Sequence, residues 1–391
     1  MMKKVTGCSI YSDHEWINNG SLAFENGKIV TVGQALDQSS NEMIHFPEKY
    51  KCIPGMIDMH IHGANGADTM DATPEALSTI ASALPKEATT SFLATTITQS
   101  EEAIEAALKN AEEVIGKQKP GEAEIVGVHL EGPFISKDKA GAQPLEYISV
   151  ADIHRFDEWQ KLSGGHIKEV TLAPEIEGGL PLIRHLADQN VVASIGHSNG
   201  TGEDVIRAVD AGATQVTHVY NGMRGMHHRE PGILGGALLH HELYNELICD
   251  GIHVCQGMVN LAYKLKGSDR MILITDAMRA KCLKNGTYDL GGQEVLVKDG
   301  LAVLASGTIA GSVLKMDQAI RNILDFTDAT LEDIVQMGAV NPARQCGIFD
   351  RKGSLEAGKD ADFIILDEED QLVMTVCRGI IAYQRGGSQQ P

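Results

Sequence analysis

Apolar runs that end in a histidine or a carboxylate recur along this chain, and that recurrence constrains the fold more than any other feature. The first is Pro54-Gly55-Met56-Ile57-Asp58-Met59-His60-Ile61-His62-Gly63. Side chains two apart on a β-strand point to one face, so His60 and His62 can reach a single point in space. The same design returns in Ile125-Val126-Gly127-Val128-His129-Leu130-Glu131, in Val191-Val192-Ala193-Ser194-Ile195-Gly196-His197 and in Gln215-Val216-Thr217-His218. A last run, Met271-Ile272-Leu273-Ile274-Thr275-Asp276, ends in an aspartate. Histidine and carboxylate at repeated strand ends is what a metal centre at the mouth of a barrel requires.

Helical patterns separate these runs. One spans 74–85 with Thr73 as N-cap. Another spans 100 to about 117, with Ile104, Ala107, Leu108, Ala111 and Ile115 on one face. Eight strand candidates lie near Ile57, Phe92, Val128, Leu172, Ala193, Val216, Ile248 and Leu273. Strands and helices alternating in that number predict a (β/α)8 barrel of the TIM type. A doubly wound sheet fits less well, because no Gly-x-Gly-x-x-Gly turn follows the first strand. Both ends of the chain read as short strands, with Asn26-Gly27 a hairpin turn between Ser21-Leu22-Ala23-Phe24 and Lys28-Ile29-Val30-Thr31-Val32. They are expected to pair into one small β-sandwich domain from 1–53 and 345–391, leaving 54–344 as the barrel. The last residues, Arg385 to Pro391, read as a disordered tail.

In the barrel reading the donors sit at the carboxyl ends of strands one, three, five, six and eight. His60 and His62 can hold one metal, and His197 and His218 a second. Glu131 can bridge the two, while Asp276 completes the first site and faces the reacting water. Mixed imidazole and carboxylate donors suit zinc or iron, and manganese less well. His129 precedes Glu131 on the same strand and reads as a supporting residue. Asp276, at the lip of a buried strand, is placed to move a proton from water to a leaving amine.

Charge narrows the partners. Lys and Arg total 33 against 53 Asp and Glu, a formal charge of −20, which argues against a nucleic-acid surface and for a small-molecule enzyme. An anionic substrate then needs a local cluster of cations, and Met226-His227-His228-Arg229-Glu230-Pro231-Gly232 is such a segment. The seven cysteines are scattered and form no Cys-x-x-Cys pair, as expected of small core residues in a reducing compartment. The start, Met1-Met2-Lys3-Lys4, lacks the apolar core of a signal peptide, and no run reaches the length of a membrane span; a cytoplasmic protein is expected.

These segments resemble the amidohydrolase superfamily and, within it, the N-acetylglucosamine-6-phosphate deacetylases. The resemblance spans essentially the whole chain. His129-Leu130-Glu131-Gly132-Pro133-Phe134 and Thr217-His218-Val219-Tyr220-Asn221-Gly222-Met223 carry it more specifically than His60-Ile61-His62. It implies hydrolysis of the 6-phosphorylated amino sugar to glucosamine 6-phosphate and acetate. By position, Glu131, His197 and His218 match the family's metal ligands and Asp276 its proton-transfer residue. Ala142, Gln143, Asn221, Gly222, Arg229, His253, Ile309, Ala310 and Gly311 match its substrate contacts. Members that bind one metal lack the His-x-His pair and carry histidine where Gln143 stands; with His60 and His62 present, this chain resembles the two-metal members. Amidohydrolases bridged by a carboxylated lysine carry it at the end of strand four, where this chain has Ala173-Pro174-Glu175. The resemblance also implies a homodimer.

Two other readings stand beside this one. N-acetylgalactosamine 6-phosphate is an alternative substrate, because one inverted hydroxyl would not show in these motifs. A sugar-phosphate-binding regulator without chemistry is the alternative from another class. The intact set of donors with Asp276 argues against it, since binding alone needs no proton-transfer acid beside a metal.

Overall fold

The computed structural model describes residues 1–34 and 42–386. The tail expected at the C-terminus lies, from residue 387 on, outside the described residues. At the centre is an eight-stranded parallel sheet whose neighbours follow chain order. Its strands are Met56–Ile61, Thr89–Thr95, Glu124–Glu131, Ile167–Leu172, Val192–Ile195, Gln215–Val216, Tyr244–Ile248 and Met271–Ile274. Each contains its expected strand centre, and almost every residue in them is buried, as in a sheet covered on both faces. The expected helices are present as Pro74–Ala83, capped by Thr73, and Glu101–Ile115, whose N-cap Ser100 Oγ accepts from the Ala103 amide.

The first and eighth strands close the cylinder, and Asp58 is the clasp. Its carboxylate accepts from the Thr275 hydroxyl at 2.5 Å, from the Thr275 amide at 3.2 Å and from the His60 amide at 3.3 Å. One residue further on, the Asp276 amide donates to the His60 carbonyl at 2.8 Å, and Ile61 and Ala277 form a parallel bridge. Closure therefore brings His60 and Asp276 together before either side chain is considered.

The interior of such barrels is usually filled by branched apolar side chains. Here a polar tier lies beneath the mouth. The Thr171, Thr217 and Ser194 hydroxyls form a chain with spacings of 2.7 and 2.6 Å, and His129 Nε2 lies 2.7 Å from Thr171 Oγ1. Gln215 Nε2 donates to Glu169 at 2.6 Å and to Glu246 at 2.8 Å.

Strands from both ends of the chain form two further sheets. One pairs Lys28–Gly33, Ser21–Glu25, Lys3–Thr6 and Glu42–His45 in that order. The other runs Ile380–Gln384, Leu372–Cys377, Phe363–Leu366, Lys51–Pro54, Ser9–Ser12 and Glu15–Ile17. They share a core in which Phe24 of the first meets Phe363 of the second edge-on, ring centroids 5.4 Å apart. Asn26 and Gly27, at φ 51° and 79°, make the expected two-residue hairpin turn. A third antiparallel sheet, Gly286–Leu290, Gln293–Lys298 and Leu301–Leu304, follows the eighth barrel strand and had no counterpart in the sequence reading. Among the described residues, no helix is long and apolar enough to cross a membrane.

An ion cluster joins the terminal sheets to the barrel. Buried Lys352 reaches Glu124 at 2.7 Å and Asp360 at 3.1 Å and also contacts Asp362, while Arg351 pairs with Glu124 and Asp360. Burial opposes ionisation of Asp360, but Lys352 and its neighbours outweigh it and hold the carboxyl at about 2. Lys352→Met removes the central cation from three clustered carboxylates. It should destabilise the protein by about 3–5 kcal/mol, the range for breaking a buried pair from one side. Urea unfolding measures this, and a midpoint equal to wild type would contradict a role for the cluster in stability.

Candidate metal centre

Four imidazoles and two carboxylates meet at the mouth of the barrel. His60 lies within the first strand and His62 one residue past its end. Glu131 is the last residue of the third strand. His197, His218 and Asp276 each stand two residues beyond strands five, six and eight. Those three residues have φ of 46°, 31° and 48°, the left-handed region that side chains with a Cβ rarely adopt. Such conformations cost on the order of 1–3 kcal/mol each and persist where surrounding bonds impose them. Here the bonds are identifiable: the His218 amide donates to Glu246 at 3.1 Å, and the Asp276 amide to His60 as described. Gly222, at φ 58°, lies against this corner, where a Cβ would stand 3.0 Å from His197 Nδ1.

The donor atoms fall into two groups, His60 with His62 and Asp276, and Glu131 with His197 and His218; within each group they lie within 4.8 Å of one another. Glu131 faces both. Its Oε1 is 3.2 Å from His197 Nε2, 3.3 Å from His218 Nε2 and 3.5 Å from His60 Nε2, and its Oε2 is 3.4 Å from His62 Nε2. Asp276 Oδ1 lies 3.3 Å from His62 Nε2 and 3.5 Å from His60 Nε2. His60 Nε2 is buried without a hydrogen-bond partner, as expected of an atom built to hold a metal. Burial disfavours a charged His60, but Asp276, Glu131 and Glu246 outweigh it and lift the imidazole to about 9. The pocket thus attracts a cation at that nitrogen, and the mixed donor set suits a divalent metal.

His129 stays beneath the donors, its ring edge-on to His60 with centroids 4.5 Å apart. Burial and the neighbouring His60 push it down to about 3, so it is neutral. Glu175, at the end of the fourth strand, is turned away and accepts from Ser198 Oγ and the Asn199 amide.

Above the donors opens a cavity of about 290 Å³. Its wall includes Ala142, Gln143, Asn221, Gly222, His253, Ile309 and Gly311 together with His62, Glu131, His197, His218 and Asp276. Gln143 is held at both ends: its Nε2 donates to Glu131 at 2.6 Å and its Oε1 accepts from the Thr98 amide at 2.8 Å. His253 Nδ1 lies 2.6 Å from Asp250, which orients the ring.

Two of the expected substrate contacts lie off this wall. Ala310 is buried behind Ile309 and Gly311 and is not on the wall. Arg229 is exposed on a loop that folds back on itself through a His227–Glu230 bridge; its guanidinium lies 2.6 Å from His228 Nε2, off the wall of this chain's cavity. Sequence reasoning also passed over wall residues. Ile97, shortly after the second strand, could have been found from its strand-end position. Leu290 and Thr308 belong with the unforeseen three-stranded sheet and its exit, where no motif marked them.

The amidohydrolase family pattern matches this chain over residues 52–382. The chain is 47% identical over 378 residues to an N-acetylglucosamine-6-phosphate deacetylase of Bacillus subtilis (strain 168), covering 96% of each. It is 37% identical over 358 residues to an N-acetylgalactosamine-6-phosphate deacetylase of Escherichia coli O157:H7, covering 92% of this chain and 93% of the other. Among solved structures it is similar to the N-acetylglucosamine-6-phosphate deacetylase of Thermotoga maritima, with a TM-score of 0.88 and 35% identity over 97% of this chain and 99% of that one.

Proposed function

Because this chain belongs to the amidohydrolase family, we propose that it is a metal-dependent deacetylase converting N-acetyl-D-glucosamine 6-phosphate to D-glucosamine 6-phosphate and acetate. One observation carries the reading: two complete donor groups share Glu131 at the floor of an open cavity. The gluco sugar is favoured over its galacto epimer by the greater identity to relatives acting on the former. The same reading has the enzyme working as a homodimer in the cytoplasm, with two zinc or iron ions per chain.

His60, His62 and Asp276 would hold one ion, and His197 and His218 the other, with Glu131 between them. When bound, a divalent metal lowers the pKa of water and polarises an acetyl carbonyl. Asp276 accepts the proton of the attacking water and returns it to the sugar nitrogen as the C–N bond breaks, leaving acetate and a free amine. Gln143, Asn221 and His253 orient the sugar along the wall.

Three measurements test this. Metal analysis after reloading should find two equivalents in wild type and about one in His60→Ala or His62→Ala; a wild type that never exceeds one equivalent contradicts the two-metal assignment. Asp276→Asn should lower kcat for acetate release by roughly 10²–10⁴ while keeping the metal at Glu131, His197 and His218. Near wild-type turnover in that variant, or no acetate release by wild type from either epimer, would sink the assignment. Arg229 stands on the loop that supplies Asn221 and Gly222 and is proposed to take the phosphate. Arg229→Ala should then lose roughly 10- to 100-fold in kcat/KM on the phosphorylated sugar, from about 1.5–3 kcal/mol per charge-assisted bond. Equal proportional losses on unphosphorylated N-acetylglucosamine would show that it acts elsewhere.

A further inference from the structure

Glu246 lies in the seventh barrel strand, Tyr244–Ile248, where an apolar residue would ordinarily fill the interior. It is fully buried, and a carboxylate there is costly unless donors surround it. Three do. His60 Nδ1 lies 3.0 Å from Oε2, the His218 backbone amide donates to the same oxygen at 3.1 Å, and Gln215 Nε2 donates to Oε1 at 2.8 Å. Gln215 is itself oriented, because its own Oε1 accepts from Gln345 Nε2 at 2.9 Å, which leaves its amide nitrogen to face Glu246. The carboxylate therefore has no freedom to turn away from His60.

We propose that Glu246 is a positioning residue that ties the two metal-binding groups together: it fixes the proton of His60 on Nδ1, leaving Nε2 free for metal, and holds the His218 backbone with the same oxygen. The inference rests on the metal-centre reading above. The four imidazoles are held in different ways, which makes the point specific. His197 has its Nδ1 fixed by the Lys139 carbonyl at 2.8 Å, whereas His62 and His218 have no hydrogen-bond partner for Nδ1 among the described residues. With Nδ1 unpartnered, His218 depends on its main chain for orientation from behind, at the strained φ of 31°, and Glu246 is the side chain that accepts from its amide. A partner that fixes the tautomer of a metal-bound histidine typically changes metal affinity by 10–100-fold when removed.

Glu246→Gln keeps the shape but offers one acceptor where the carboxylate offered two, so its amide N–H meets either Gln215 on one side or His60 and His218 together on the other. Competitive zinc titration against a chromophoric chelator should find two equivalents in wild type. In the variant the weaker equivalent should lose roughly 10- to 100-fold in affinity, and the apo proteins should unfold at similar temperatures. Unchanged affinity for both equivalents would overturn the proposal while leaving the deacetylase reading intact; a wild type that binds a single equivalent would overturn the proposal together with the two-metal assignment, while the deacetylase reading stands or falls on acetate release. An independent measurement needs no variant at this position. In zinc-loaded wild type labelled with 15N-histidine, the signals missing from His60→Asn should report a proton on Nδ1. A proton on Nε2 would refute the assignment.

Discussion

The arrangement depends on a charge balance struck around one buried carboxylate. Glu131 faces all four imidazoles, and with Asp276 and Glu246 it places three acidic groups in a space from which water is largely excluded. Burial alone would neutralise such groups. Instead the surrounding imidazoles hold Glu131 well below the ordinary carboxylate range and Asp276 at about 2. The negative charge that results is satisfied by protons on the histidines or by metal ions, and the geometry leaves the Nε2 atoms facing inward for the second outcome. Deeper in the barrel the opposite solution appears. Burial and the neighbouring Glu246 push Glu169 well up, whereas His60 outweighs burial at Glu246 and holds that carboxyl down.

Much of this was legible in the chain. The eight strand centres could be read because each strand is a short apolar run, and because polar punctuation with helical periodicity falls between them. The donors could be read because each sits at or just beyond a strand end, the position that a barrel converts into a shared face. What the chain hid were residues whose meaning is purely spatial. Asp58 lies inside the most conspicuous motif, yet its partner is Thr275, more than two hundred positions away. Glu246 belongs to no motif and Gln215 only opens the run that ends in His218, and only barrel closure sets Glu246 beside His60. For Arg229 the charge and the loop were legible, but the path of that loop depends on a local bridge that no spacing rule encodes.

The cavity wall shows the same division. Most of its polar members stand at or beyond the ends of barrel strands, and their order in the chain predicts their neighbourhood. Among its apolar members, Leu290 arrives from the antiparallel sheet inserted after the eighth strand, so the shape of the opening depends on an element outside the repeating pattern.

The sheet built from both ends of the chain has a consequence for how the protein comes into being. Strand Lys51–Pro54 pairs with Phe363–Leu366, and Lys352 reaches Glu124 across the same junction. During synthesis the early strands emerge with one edge open, and their neighbours leave the ribosome only after the entire barrel sequence has been made. Contacts of such long sequence separation form late, and an unpaired strand edge is open to association with other chains until they do. A product truncated near residue 360 would keep every metal donor while leaving the Lys51–Pro54 edge without its partner strand.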